Sequence, residues 1–159
     1  MFKKLRRKEK QLSKEETYNI LENNTYGVLG TVGEDRYPYT VPMNYVIMDG
    51  KIYFHGAKQG HKIDNINYNN KASFCVVSES EVIESKFTSE YKSVIVFGKI
   101  SIVDGKEKKD SLIELVEKYS PEYRDKGIKY IEEAIDKVQV FKLDIERMTG
   151  KGDNIDQNQ

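Results

Sequence analysis

The residues best placed to do chemistry fall between positions 55 and 62. His55-Gly56-Ala57-Lys58-Gln59-Gly60-His61-Lys62 follows the apolar run Ile52-Tyr53-Phe54 and precedes a helical pattern with Ile63 and Ile66 three apart. The chain's 2 histidines sit here together with two glycines and two lysines. Free backbone N–H groups at a helix start, with ammonium groups beside them, make a site for a phosphate dianion. The segment therefore predicts a phosphorylated small-molecule ligand held by His55, Gly56, Ala57, Gly60 and Lys62. The pattern matches neither the Walker loop nor the dinucleotide fingerprint, and the same glycines also suit a plain strand-to-helix connection. His61 is expected to be exposed in the loop.

Three further groups qualify. Pro42-Met43-Asn44-Tyr45, following Val41, places a proline inside a β pattern. Proline cannot donate to a ladder, so neighbouring backbone groups lose their strand partners and must bond something else. A planar heterocycle with donor and acceptor edges would serve, and so would an ordinary edge strand facing water. Tyr91-Lys92-Ser93-Val94 and Met148-Thr149-Gly150-Lys151 each set a hydroxyl and a cation just outside an apolar strand. No metal is expected, because the histidines, Cys75 and the carboxylates form no recognised ligand spacing. No Ser-His-Asp or Cys-His arrangement can be argued.

The elements that position these groups are mostly strands. Ser13-Lys14-Glu15-Glu16 is a capping box opening a helix that runs to Asn23. Gly27 to Val32 reads as the first strand, Tyr37 to Met48 as a long second one broken by Pro38 and Pro42. Asp49-Gly50 signals a tight hairpin into a third strand, Lys51 to His55. A short helix over Lys62 to Asn70 and a fourth strand over Ala72 to Val77 follow. Residues 78 to 91 are polar and fit no template. Ser93 to Val103 alternates as a fifth strand. Lys106 to Tyr119 is amphipathic through Leu112, Leu115 and Val116, Ser120-Pro121 breaks it, and Gly127 to Lys137 continues with Ile128, Ile131 and Ile135. Val138 to Ile145 is the sixth strand. Hairpin connections favour an antiparallel sheet, and six antiparallel strands tend to close and hide their edges. The prediction is an α+β, mainly β fold: a six-stranded antiparallel barrel with peripheral helices.

The bulk numbers fit one domain over residues 1–152 with a frayed polar tail over 153–159. The chain has 159 residues, 26 basic and 26 acidic. That balance argues against a nucleic-acid partner recognised through overall charge. A single cysteine cannot form an intrachain bridge, and Cys75, inside Phe74-Cys75-Val76-Val77, is expected as a small buried hydrophobe. No apolar run approaches the ~20 residues of a membrane helix, and the charged N-terminus lacks a signal-peptide core. A cytoplasmic protein without a membrane partner is expected. The basic run Lys3 to Lys10 reads as a solvated extension.

Taken in order, Arg6-Arg7, Tyr26 to Thr31, Tyr37 to Tyr45, Ile52 to Ala57 with Gly60-His61-Lys62, Tyr91 to Gly98, and Met148 to Lys151 resemble the split-barrel flavoproteins of the pyridoxamine 5′-phosphate oxidase-like superfamily. Within it the chain is most similar to the nitroimidazole-resistance group, over about residues 5 to 152. The resemblance implies a homodimer with two FMN molecules at the subunit interface. It implies that the Val41, Pro42, Met43, Asn44, Tyr45 strand meets the isoalloxazine ring with its backbone, and that His55, Gly56, Ala57 and Lys62 serve the ribityl phosphate. Tyr91 and Ser93, with Lys151, would approach from the second subunit. It also implies that His55 is the catalytic residue in reduction of nitroaromatic compounds. A flavin- or haem-binding protein without catalysis, with His55 or His61 as axial ligand, and oxidation of pyridoxamine phosphate are the alternatives; the latter needs a set of arginines that the strands lack.

Overall fold

The computed structural model describes residues 2–153. Over these residues the strands are β1 (Gly27–Val32), β2 (Pro38–Met43), β3 (Val46–Met48), β4 (Lys51–Gly56), β5 (Lys71–Ile83), β6 (Thr88–Val103) and β7 (Gln139–Gly152). They form one antiparallel sheet in the order β2-β1-β5-β6-β7-β4-β3. Its two end strands, β2 and β3, are separated in sequence by Asn44 and Tyr45 alone. A sheet whose end strands are joined by two residues has to curl so that those strands come near each other, and the result is an α+β split barrel that is not closed by a β2–β3 ladder. Helix α1 (Lys14–Asn23) opens with the expected capping box, and α2 (His61–Tyr68) follows β4. Helices α3 (Gly105–Tyr119) and α4 (Arg124–Ala134) form a hairpin between β6 and β7.

The barrel therefore has seven strands rather than six. The expected long strand from Tyr37 to Met48 is two strands at opposite ends of the sheet. It breaks at Tyr45, whose N–H donates to the Tyr119 hydroxyl at 2.9 Å and whose carbonyl shares the single proton of that hydroxyl, at 2.8 Å, with the Thr25 carbonyl at 2.6 Å. One side chain from α3 thus replaces the ladder partners of that residue. Pro38 and Pro42 lie on β2, an end strand, where a missing N–H is tolerated. Residues 78 to 91 extend β5 and β6 into a hairpin arm instead of forming a loop. β7 is longer than expected and includes Met148 to Lys151. It passes an irregularity opposite Phe97 and Gly98, where a Cβ on Gly98 would come within 2.1 Å of the Asp144 carbonyl.

Two cores hold these elements. Inside the barrel, Leu21, Leu29, Tyr45, Ile52, Phe54, Phe74, Val96 and Leu143 pack together. Between the sheet and the α3–α4 hairpin, Val46, Tyr53, Val103, Leu112, Leu115, Ile131 and Val140 form the second. The part of the sheet's outer face that the α3–α4 hairpin leaves uncovered is half-buried to exposed. One row crosses it through Pro42, Val28, Cys75, Ile95 and Thr149. Cys75 is thus half-buried on the outer face and not a core residue. The N-terminal segment is more ordered than a free extension: Leu12 donates to the Gly150 carbonyl, Lys10 pairs with Asp153, and Phe2 stacks on Phe97. Asp153 is thereby tied down; the remainder of the expected tail, 154–159, lies outside the described residues.

Candidate functional site

Strand β4 delivers His55 and Gly56 to the end of the sheet, where Val140 and Gln139 pair with them. The chain then turns through Gly60, at φ 121, which a side chain would not tolerate, and enters α2. No side chain caps this helix; the Ile63 and Asp64 N–H groups donate to the Gly60 carbonyl, which leaves those of His61 and Lys62 without a bond in the helix. Lys62, in the first turn, folds back over Gly56. A Cβ at position 56 would come within 2.8 Å of its Nζ, so glycine is what lets the ammonium lie there. That ammonium has the Met43 thioether, a weak acceptor, at 3.6 Å, and the Phe141 ring lies 5.7 Å away. Lys62 is half-buried, and loss of hydration lowers its pKa. A half-buried cation beside an uncapped helix start, without a carboxylate on it, is what an anion site requires.

His55 is exposed at the strand end. Crowding of its imidazole by the surrounding groups, and then the charge of Lys62, hold its pKa below the ordinary histidine value. It therefore presents a neutral ring at neutral pH, one nitrogen donating and the other accepting. Next to it lies a cavity of about 670 Å³. Asn44, His55, Gly56 and Ala57 form one wall, and Leu112, Leu115, Tyr119, Tyr130, Ile131 and Ile135 of the α3–α4 hairpin form another. Apolar walls with a few convergent polar groups suit a planar organic ring.

The expected site residues fall into three places. Asn44, His55, Gly56 and Ala57 meet at the cavity, and Met43 with Lys62 adjoins it. Asn44 is held by a 2.9 Å bond from its side-chain amide to the Thr25 carbonyl. Val41 packs against the barrel core from β2, and Pro42 is exposed on the outer face. Tyr45 is fully buried, its hydroxyl donates to the Leu21 carbonyl, and both its backbone groups are bonded to Tyr119, so it has no free polar group to offer. The Lys118 ammonium lies 4.1 Å from the centre of the Tyr45 ring and fastens it further.

Tyr91, Ser93 and Lys151 are elsewhere. The Lys151 ammonium donates to the Tyr91 hydroxyl at 2.9 Å, and Ser93 is the ladder partner of Lys151. Lys151 lies eleven positions along β7 from Val140, the partner of His55. At ~3.3 Å per residue that is about 36 Å along the strand, too far for one small ligand to touch both groups within a chain. His61, expected in the loop, is the first residue of α2 and lies 4.2 Å from the Tyr39 ring.

The α3–α4 wall was missing from the sequence expectation. Its signal, the stripes of Leu112, Leu115 and Val116 and of Ile128, Ile131 and Ile135, marks a buried face without telling whether protein or ligand lies against it. Tyr119 carried no signal beyond ending the helix.

The chain matches the pyridoxamine 5′-phosphate oxidase family profile over residues 13–152. No curated protein matches it. Among solved structures, a candidate 5-nitroimidazole antibiotic resistance protein from Bacteroides thetaiotaomicron is similar, at 22% identity and a TM-score of 0.72, covering 89% of this chain and 85% of that one. The flavocytochrome Anf3 from Azotobacter vinelandii is similar at 16% identity and a TM-score of 0.80, covering 95% and 72%. The FAD and heme binding protein from Mycobacterium smegmatis is similar at 16% identity and a TM-score of 0.78, covering 91% and 74%. These likenesses are likenesses of fold. Among the described residues no helix is long and apolar enough to cross a membrane.

Proposed function

Because the chain belongs to the pyridoxamine 5′-phosphate oxidase family, we propose that it is a cytoplasmic, homodimeric FMN-dependent oxidoreductase that reduces small nitroaromatic compounds of the 5-nitroimidazole type. The observation that carries this reading is Lys62: a half-buried ammonium lying over a glycine, at an uncapped helix start, with a thioether as its acceptor. These residues fit a ribityl phosphate. Lys62 and the first N–H groups of α2 bind the dianion, and Gly56 and Ala57 line its approach. Val41 to Asn44 and His55 border the ring, and the α3–α4 wall excludes water from it. FMN, when bound, supplies hydride and electron transfer, which is why the chain needs no acid–base triad. His55 offers a neutral imidazole N–H beside the ring, fit to orient a substrate's polar substituent.

The homodimer has its own support. Ile95 and Phe97 stand exposed on the sheet's outer face, beside half-buried Val28 and Cys75. Large exposed apolar surface marks an interaction site. A second copy on that face would also supply Tyr91, Ser93 and Lys151 to a flavin that the same chain cannot reach with them.

The purified protein should show the absorption bands of oxidised flavin. Replacing Lys62 with alanine should weaken FMN binding by roughly 1.5–3 kcal/mol, the range for hydrogen bonds to charged groups. Calorimetry giving Lys62→Ala the affinity of the wild type would refute the phosphate assignment. A second reading, a flavin- or haem-binding protein without catalysis, draws on the exposed, neutral His55 at the cavity and on the haem in the names of similar structures. A Soret band would select it. Oxidation of pyridoxamine phosphate is disfavoured, since no arginine is among the residues lining the cavity.

A further inference from the structure

The hairpin between β5 and β6 outruns the rest of the sheet. β1 pairs with β5 at Val28 to Gly30, and β7 pairs with β6 from Lys92 onward. Beyond Tyr91, whose carbonyl still accepts from the Asp153 N–H at 3.1 Å, Glu81–Ile83 and Thr88–Glu90 pair with each other as a two-stranded arm. The arm turns through Glu84–Lys86 and Phe87, which is 98% exposed and held at φ 50. Val82 is 68% exposed. A phenylalanine in full contact with water, on a left-handed backbone that bulky residues avoid, is a surface built to be covered.

The register says by what. Val82 stands opposite Ser89, and Ser80 opposite Tyr91. Alternate residues of a strand share a face, so Val82 lies on the same side as Tyr91, Ser93, Ile95 and Phe97. That is the outer face, which the homodimeric flavin reading assigns to a second copy. We propose that the arm clasps the second copy of this chain, setting its Val82–Phe87 tip over the mouth of that copy's cavity at Tyr130 and Lys137. Each flavin site is then completed by a phenylalanine from the other subunit.

Reach, polarity and charge agree. From Ser93 to Thr88 the arm spans about 17 Å. A cavity of 670 Å³ is about 11 Å across if round, and it begins at Gly56, directly under Lys62. With Tyr91 and Lys151 at the phosphate end, the tip arrives at the cavity mouth. Tyr130 there is 69% exposed, an aromatic surface awaiting an apolar partner. Glu84, in the turn at the arm's tip, is exposed, as is Lys137 on the cavity wall.

The proposal rests on the homodimeric flavin reading, and the test separates the two. In a Cys75→Ser background, the pair Phe87→Cys and Tyr130→Cys should, on mild oxidation, give a disulfide-linked dimer on a non-reducing gel. Light scattering and the flavin spectrum are recorded on the same sample. A flavin-loaded dimer that yields no interchain link overturns the clasp and leaves the flavin reading standing; a flavin-free monomer overturns both. Replacing both Val82 and Phe87 with serine should raise iodide quenching of bound-flavin fluorescence severalfold while the dimer mass is unchanged. Quenching equal to the wild type would contradict the clasp.

Discussion

At the residue scale the charge of the site is set by one cation, Lys62. It is partly desolvated, has no anionic partner among the described residues, and its charge helps keep His55 neutral. The sign of the resulting pH dependence follows. The folded-state pKa of His55 is depressed, so the folded chain binds fewer protons than the unfolded chain near pH 6. Stability should therefore rise with pH through the window just below the ordinary histidine value of about 6.5, and the group adds nothing to the slope above it. His55→Asn should flatten that rise. Urea midpoints of wild type and variant, compared between about pH 5 and pH 7, measure it, and parallel curves would show that His55 is not perturbed. A phosphate dianion beside Lys62 should offset the repulsion, so the wild-type slope should also shrink when inorganic phosphate is present.

At the scale of elements, the α3–α4 hairpin decides whether there is a cavity. Gly127 sits where the two helices touch: a Cβ there would lie 2.6 Å from the Val116 Cγ1 atom and 3.0 Å from its Cγ2. Both neighbours belong to a branched, packed side chain with no free end to swing away. Gly127→Val should force the helices apart and cost about 1–3 kcal/mol, the usual range for overpacking, read from urea denaturation. An unchanged midpoint would mean the hairpin is loose there. This glycine also explains part of what the sequence hid. Placed at the start of an expected helix, it falls inside α4, because its role is close approach and not termination. What was legible obeyed local rules: the capping box at Ser13, the Asp49-Gly50 hairpin, the β4–α2 turn with Lys62. What was not legible depended on distant partners. The break at Tyr45 needs the Tyr119 hydroxyl, 74 residues away. The β5–β6 arm has no buried face beyond the sheet, so the alternation that marks a strand is missing from 78 to 91. The cavity wall uses apolar stripes that read equally well as core.

At the scale of the molecule, the barrel holds apart the two residue groups that the proposed flavin site needs together. His55 and Lys62 lie at one end of the sheet, and Tyr91, Ser93 and Lys151 lie at the other end. In the proposed homodimer, twofold pairing through the outer face would reunite them, since an isologous interface sets each residue's patch against the same patch on the other copy. Ile95 is the sensitive position: it is 40% exposed and stands between Cys75 and Thr149 in the outer row. Near the twofold axis, Ile95→Lys would place two like charges in a desolvated interface, a penalty of several kcal/mol with no carboxylate to relieve it. The side chain points away from the barrel core, so the fold should survive. Light scattering should then give a monomer and circular dichroism an unaltered sheet. FMN affinity should fall as well, because each site loses the cluster that the other chain supplies. A variant that remains dimeric with full flavin content would place the interface on another face, and with it the partner of Lys62.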